Sequence, residues 1–257
     1  MKIVYELNPP KIIKGERFDI AQLNNDMQTL TERASQMAGF INEMHITDSV
    51  LGIPRISSIT AASHIIKNAK ISDRVKMSCS IRVRDRNFTS FCQAVSDAIL
   101  AGIDSLLVLM GDEPADRPGD SGLRPSAAVK MLKKEGYDST IKLNLSFPAK
   151  INNKFSTSVQ KKLEARPHSL VTQSIASLSD LGEIVDLAKL YGIKVVAVIM
   201  VPSERNLQSA SIIGLDWSGY EKNPVDFVNQ AAKIADKVLL TSPNSFRSGI
   251  DLLSKLR

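Results

Sequence analysis

The 257-residue sequence is poor in the residues that staple small folds or bind metals: two cysteines, Cys79 and Cys92, three histidines, one tryptophan and 5% aromatics in all. Two separate thiols exclude a disulfide framework. With no histidine at ligand spacing beside them, and no two of His45, His64 and His168 spaced as a metal pair, no metal site is expected. No apolar run approaches the roughly 18 residues that read as a membrane span. The chain enters directly into an alternating segment, Ile3-Val4-Tyr5-Glu6-Leu7, with no charged and then apolar leader. A cytoplasmic protein that neither crosses nor binds a membrane is the expectation. Low-complexity tracts, GxGxxG and the P-loop signature are missing too, which argues against disorder and against an open dinucleotide-binding sheet.

Scarce aromatics also bear on the charge. Lys and Arg number 33 against 27 Asp and Glu, a formal net charge of +6. The basic residues are dispersed, with close doublets only at Lys133-Lys134 and Lys161-Lys162, and no aromatic side chains interleave with them. Nucleic-acid binding is therefore the weaker reading, and small anionic molecules are at least as good a match. Hydrophobic residues at 43% and charged residues at 23% are those of an ordinary globule.

What is present is a repeating alternation. Short apolar, β-rich runs at 3–7, 40–46, 75–81, 105–110, 141–145, 170–173, 195–200 and 237–241 alternate with helical patterns at 20–37, 57–68, 88–101, 125–134, 157–165, 178–191, 203–212 and 246–256. Each helical stretch carries apolar residues at spacings of three and four. Gly102 and Gly192 follow helices, and Pro125 starts one. Eight strands, each followed by a helix, predict an α/β fold, one (β/α)8 TIM barrel spanning residues 1–257 as a single domain. In such a barrel the chemistry sits at the C-terminal ends of the strands, so the polar residues that close each run are the ones to weigh.

Glu6 ends the first run ahead of Pro9 and Pro10, which hold the exit rigidly. Its carboxylate faces the barrel mouth or interior, as a catalytic acid or as half of an internal ion pair. Asp112 follows the fourth run and Gly111, where a missing side chain lets backbone approach a flat ligand; Gly-Asp is also a common turn pair. Gln173 closes the sixth run with an amide able to donate and accept. Arg82, Arg84 and Arg86 crowd the end of the third run, either as forks for a phosphate or carboxylate or as a solvated ion-pair cluster.

These segments, taken together and in order, resemble a known family. Glu6-Leu7-Asn8-Pro9-Pro10 is similar to the ExxPP start of the methylenetetrahydrofolate reductases. The stretch 46–57, with Thr47 in its Thr-Asp-Ser and Pro54-Arg55 further on, resembles the second-strand exit of one branch. Arg84-Asp85-Arg86-Asn87 resembles that branch's RDRN signature, Gly111-Asp112-Glu113-Pro114 the family's GDxP loop, and Leu170-Val171-Thr172-Gln173 its ITQ strand. The resemblance implies a flavoprotein oxidoreductase of one-carbon metabolism. Bound FAD, reduced by NAD(P)H or another donor, would reduce a 5,10-methylene-tetrahydropterin to the 5-methyl form.

Carried over, Glu6 would be the general acid that opens the pterin ring. Asp112 would act beside flavin and pterin, and Gln173 with Asp112 would bind the substrate. Thr47, Ser80, Met110, Gly111, Phe147 and Lys162 would line the cofactor, Ser80 standing where the family has a histidine. Assembly as a homo-oligomer or with a partner redox subunit is implied as well. The alternatives are a flavin-free pterin-binding barrel, acting as a one-carbon methyltransferase or a partner-dependent subunit, and a non-catalytic pterin-binding or regulatory subunit.

Overall fold

In a computed structural model of the chain, which describes residues 1–113, 119–153 and 156–256, eight parallel strands close in chain order into one barrel. The strands are β1 (Ile3–Leu7), β2 (Glu43–Ile46), β3 (Lys76–Arg82), β4 (Ser105–Leu109), β5 (Lys142–Phe147), β6 (Ser169–Ser174), β7 (Lys194–Met200) and β8 (Lys237–Thr241). Helices α1 (Ile20–Met37), α2 (Ser58–Asn68), α3 (Phe88–Leu100), α4 (Pro125–Lys134), α5 (Thr157–Glu164) and α6 (Leu178–Lys189) follow the first six strands in turn. After β7 come α7 (Leu207–Ile212) and α8 (Pro224–Ile234), and α9 (Phe246–Lys255) follows β8. The (β/α)8 architecture expected from the alternation is therefore present. No helix among the described residues is long and apolar enough to cross a membrane.

Helix starts obey simple capping chemistry. The side chains of Asp19, Ser57, Asn87, Ser156, Ser177, Asn223 and Ser245 each accept a bond from an amide of the first turn that has no partner within the helix. Gly102 and Gly192 adopt positive φ just after α3 and α6, the backbone geometry that ends a helix at lowest cost. The helix α8 was not expected. Its apolar face, with Phe227, Val228 and Ala231 buried, adds a second helix to the β7–β8 connection, and Phe227 stacks on Tyr220 at 4.2 Å between ring centroids.

By its contacts the chain divides into two compact units, each described by itself. The first comprises Met1–Glu6, Phe40–Asn42 and Asn144–Arg257. Here β1 pairs with β8, β8 with β7, β7 with β6 and β6 with β5. Side chains alternate across a strand. Tyr5 faces α9, where a Cβ on Gly249 would collide with its ring and hydroxyl, so Val4 and Glu6 face the barrel interior. Register places Met200 beside Thr241 and Leu240 beside Tyr5, which brings Thr241 next to Glu6 on the inner face. Between Val171 and Ser174 the β6 register slips by a bulge, and the Thr172 hydroxyl accepts the Val198 amide at 3.0 Å in place of a ladder carbonyl.

The second unit comprises Leu7–Gly39 and Glu43–Leu143. Here β2 pairs with β3 and β3 with β4. The Cys79 thiol reaches the Ser58 carbonyl of α2, so Ser78, Ser80 and Arg82 point the other way, into the barrel. His45 joins them there. The two prolines of the β1 exit are pinned from outside their own segment: Arg55 donates to the Pro9 carbonyl at 2.6 Å, and the amides of Ile12 and Ile56 bond the carbonyls of Pro54 and Pro10. Pro114, which completes the Gly-Asp-x-Pro pattern, lies outside the described residues.

Candidate active site

In the first unit the rim of the barrel presents one carboxyl in an unusual setting. Glu6 is half-buried at the end of β1, and the Thr241 hydroxyl donates to its Oε1 at 2.6 Å. Burial pushes the carboxyl pKa up from its ordinary value, and the Thr241 bond offsets this in part. Desolvation favours the neutral acid, and a hydrogen bond to the charged form favours the anion, so the two act in opposite directions on one group. The result is a carboxyl able to exchange a proton closer to neutral pH than a solvated one. Gln173 sits within the β6 bulge and is exposed; a bulge re-aims a side chain, here at the rim. Deeper in the same unit Asn144 is buried, and its Oδ1 has no hydrogen-bond partner among the described residues.

The loops after β7 and β8 are locked to each other through Asn206, which is fully buried. Its amide nitrogen donates to the Val201 carbonyl and to the Ser242 hydroxyl, both at 2.9 Å, and its Oδ1 accepts the Asn244 amide at 3.0 Å. Ser242 in turn donates to the Ser245 carbonyl at 2.6 Å. The segment that begins at Thr241, the partner of Glu6, is thus held rigidly as far as the cap of α9.

The rim of the second unit is as polar but differently disposed. Arg82 is 1% exposed. Its guanidinium donates to the carbonyls of Ser49 and Asp112, each at 2.8 Å, and pairs with Asp85. Arg86 bonds the Arg82 carbonyl and the Asp48 carboxylate, while Arg84 bonds the carbonyls of Gly111 and Gly119. The three guanidiniums, proposed from sequence as forks for an anion, are occupied as braces between loops. Asp112 accepts the Leu51 amide at 2.7 Å and so fixes a turn in which Ser49 and Leu51 both hold positive φ. Gly111 also has positive φ, and a Cβ there would lie 2.5 Å from Arg82 Nε. The missing side chain makes room for a guanidinium; the flat ligand expected there is not needed to explain it.

The residues assigned to a cofactor by resemblance are likewise placed by contacts of their own. Thr47 donates to Asn8 Oδ1 at 2.7 Å. Ser80 lies 2.8 Å from His45 Nε2, whose other ring nitrogen is 3.0 Å from the Ser78 hydroxyl. Burial lowers the His45 pKa to about 4, against a smaller opposing effect of Glu43, so the ring is neutral at physiological pH. The Met110 carbonyl accepts the Arg84 amide. In the first unit Lys162 lies 5.9 Å above the Phe147 ring, and burial lowers its pKa.

No protein-family model matches the chain, and no curated protein matches it. Solved barrels do. An aldolase named QR15 aligns over 98% of this chain and 96% of its own, with 13% identity and a TM-score of 0.53. A 3-hexulose-6-phosphate synthase aligns over the full length of both chains at 9% identity, TM-score 0.54. A deoxyribose phosphate aldolase from Aeropyrum pernix, described as tetrameric, aligns over 99% of this chain and 88% of its own at 13% identity, TM-score 0.55.

The chain shares their fold. These neighbours overturn the reading of the chain as a methylenetetrahydrofolate reductase and flavin-dependent oxidoreductase, and the alternative of a flavin-free pterin barrel gains no support from them. The physical reason is visible in the second unit. The Pro-Pro, Pro-Arg, RDRN and Gly-Asp segments that suggested the family are the ones that brace one another, so barrel-loop packing accounts for them. FAD and NAD(P)H entered only with that resemblance.

Sequence reasoning missed Thr241, Asn206 and the His45–Ser78–Ser80 cluster. Thr241 was legible as the last polar residue of the eighth run, and His45 as an inward position of a strand alternating with Met44 and Ile46. Asn206 gave no signal, because it falls inside what read as a continuous helix from 203 to 212, where the structure has a 3-10 turn, Glu204–Asn206, before α7.

Proposed function

We propose that the chain is an enzyme that transfers a proton at the carbon beside a carbonyl group of a small polar substrate, with Glu6 as the proton carrier. The observation that carries this reading is the Glu6 carboxyl itself: inward-facing, at the C-terminal end of a barrel strand, raised in pKa by burial and oriented by Thr241. In the ionised form its carboxylate takes the proton from the substrate carbon, and the C–H electron pair passes into the enolate. In the reverse direction the neutral carboxyl returns the proton to carbon. Gln173 supplies an amide at the same rim to orient the substrate.

Carbon–carbon bond chemistry next to a carbonyl begins with this type of proton transfer, and the solved barrels of the same fold include proteins named as aldolases. A lyase or isomerase is accordingly the class this reading favours. Strand lysines do not compete for the role. In the first unit Lys194 and Lys237 each open their strand, at the opposite end from Glu6.

The test is solvent exchange. Purified protein in D2O, incubated with small ketoses, hydroxyaldehydes and their phosphate esters and followed by proton NMR, should place deuterium beside the carbonyl of at least one of them. The Glu6→Gln protein should not. Exchange with none of these compounds, or at equal rates with both proteins, overturns the reading.

A further inference from the structure

Strand register shows which side chain faces Glu6 inside the first unit. Leu145 is fully buried and the Phe147 ring lies against Lys162 of α5, so both point out toward the helices, and Asn144 and Ser146 point into the barrel. Through Val171, Ser146 is the ladder partner of Val196 on β7, whereas Glu6, through Thr241, is that of Met200. Ladder rows are not level. Strands of such a barrel tilt by about 36° and lie about 4.8 Å apart, so a level line moves by about one residue per strand from the ladder row. The strand starts give the direction: the ladder partner of Ile3 on β7 is Ala197, yet β7 begins lower, at Lys194. Glu6 is therefore level with Val198, and Val198 with Ser146.

Glu6, Val198 and Ser146, from β1, β7 and β5, thus make one layer of the interior, built from alternate strands as is usual in this fold. Strands β1 and β5 stand opposite each other in the ring of eight, so Ser146 faces Glu6 across the barrel axis. The layer beneath, Val4, Val196 and Asn144, is buried. Above it Glu6 and Ser146 are only half-buried, and the space between them opens to the mouth. Branched aliphatic side chains usually fill these layers, and serine is smaller than any of them. Its hydroxyl has no hydrogen-bond partner among the described residues, and unlike Asn144 Oδ1 it is not sealed from solvent. The Thr241 proton is already given to Glu6, and Gln173 stands nearer the rim. Ser146 is the free donor at the level of the acid.

We propose that Ser146 is a second catalytic residue of this site, its hydroxyl donating a hydrogen bond to the carbonyl oxygen of the substrate. The proposal rests on the reading of Glu6 as proton carrier. When Glu6 takes the proton from carbon, the C–H pair becomes the new carbon–carbon double bond, the carbonyl π pair moves onto oxygen, and that oxygen becomes an anion. Ser146 keeps its own proton and stabilises the charge through the hydrogen bond, in a place where little water competes. The interior of an eight-stranded barrel is only as wide as its side chains. A substrate fits across the axis when the reacting carbon is slim, with the carbonyl oxygen at Ser146 and Val198 as an apolar wall alongside. The class this selects is a ketone or aldehyde with a methyl or hydroxymethyl group beside its carbonyl.

Two readouts test this, one with turnover and one without. With hydroxyacetone and dihydroxyacetone in D2O, Ser146→Ala should slow solvent exchange by at least ~100-fold, the low end of what one oxyanion donor supplies, at an unchanged thermal midpoint. Ser146→Thr keeps a hydroxyl on the same carbon and should exchange about ten-fold faster than the alanine variant. Glycolohydroxamate, a stable mimic of the enediolate, can be titrated into the full-length protein by calorimetry. Ser146→Ala should bind it at least ~10-fold more weakly than the wild type, and the same loss should appear when both proteins also carry Glu6→Gln. Hydroxamate binding that depends on Ser146, in a wild type that exchanges no hydrogen, would sink the role of Glu6 and leave that of Ser146 standing. A wild type that does not bind the hydroxamate, binding undiminished in Ser146→Ala, or wild-type exchange that this variant retains would each overturn the inference.

Discussion

The rims of the two units contain similar residue types in different states of pairing. In the second unit Arg82, Arg84, Arg86, Asp48 and Asp112 have partners within the protein, and the loops they join hold backbone in left-handed conformations at Ser49, Leu51 and Gly111. In the first unit a carboxyl is kept from easy ionisation, and the Ser203 hydroxyl and Asn144 Oδ1 are buried with no partner among the described residues. A network whose charged groups are braced against one another and against backbone carbonyls, with Arg82 Nε left over, spends its polar groups on shape. Buried polar groups left unsatisfied or perturbed hold free energy that a ligand or a reaction can release. The density of charge in a loop therefore says little about where the chemistry is, and its state of pairing says more.

The sharpest way to break this contrast is Glu6→Gln. General acid–base groups contribute about 10² to 10⁴ in rate, so exchange activity should fall by at least ~100-fold with the fold intact by circular dichroism. The wild-type rate should rise with pH through a value above the ordinary 4.5 of a glutamate. Stability has a matching sign. A carboxyl whose folded pKa is raised contributes fully below pH 4.5, and its contribution is lost as pH rises through the higher folded value, a loss the Gln variant should not show. Unchanged activity would return Glu6 to the structural residues.

Arg82→Met tests the other side. It leaves the Ser49 and Asp112 carbonyls without their donor, which typically costs about 1–3 kcal/mol for a buried acceptor, while Asp85 is exposed enough for water to replace the pair; the loss should be seen as a lower denaturation midpoint at unchanged slope. Residual activity per folded molecule should stay near that of the wild type. A variant that is as stable as the wild type and yet inactive would reverse the roles of the two rims.

His45 gives a pH-dependent prediction of similar size. Its pKa is lowered from 6.5 to about 4 in the fold, so the unfolded chain takes up a proton below pH 6.5 that the folded chain refuses until about 4. Stability is complete above 6.5 and should fall by about 3 kcal/mol as pH drops to 4. Chemical denaturation at a series of pH values should show a shallower acid loss in His45→Gln than in the wild type. Parallel curves would mean that the ring is protonated inside the barrel. The smallest effect is expected from Asp112→Asn, which keeps the shape but weakens a charged acceptor for the Leu51 amide. A loss of about 1 kcal/mol with activity retained would mark Asp112 as a loop anchor, and a large loss of activity would give it a place in the chemistry.

Much of the barrel could be read from the sequence, because apolar period and helix caps are local properties. Helices α1 and α4 and strands β1 and β8 fall where the pattern places them. What escaped depends on distant partners. The pattern cannot show that Gly111 is small for the sake of Arg82, or that Thr241 meets Glu6 across almost the whole length of the chain. The motif reading failed for a related reason: residues that match a signature one at a time had their matches explained by packing against each other. For α8 the cause is different. Asn223-Pro224 is a strong helix start, and the expectation that one helix separates consecutive strands left no place for it.

Asn206 has a consequence for anyone redesigning this protein. One amide side chain serves as hinge pin for two loops that are far apart in sequence, so neither can be exchanged independently. A segment transplanted after β7 that lacks an asparagine at this point would leave the Ser242 hydroxyl and the Asn244 amide searching for new partners, and the turn into α9 would drift with them. Loop libraries built on this scaffold should treat residues 201–206 and 241–245 as one inheritable cassette, varied together or left alone.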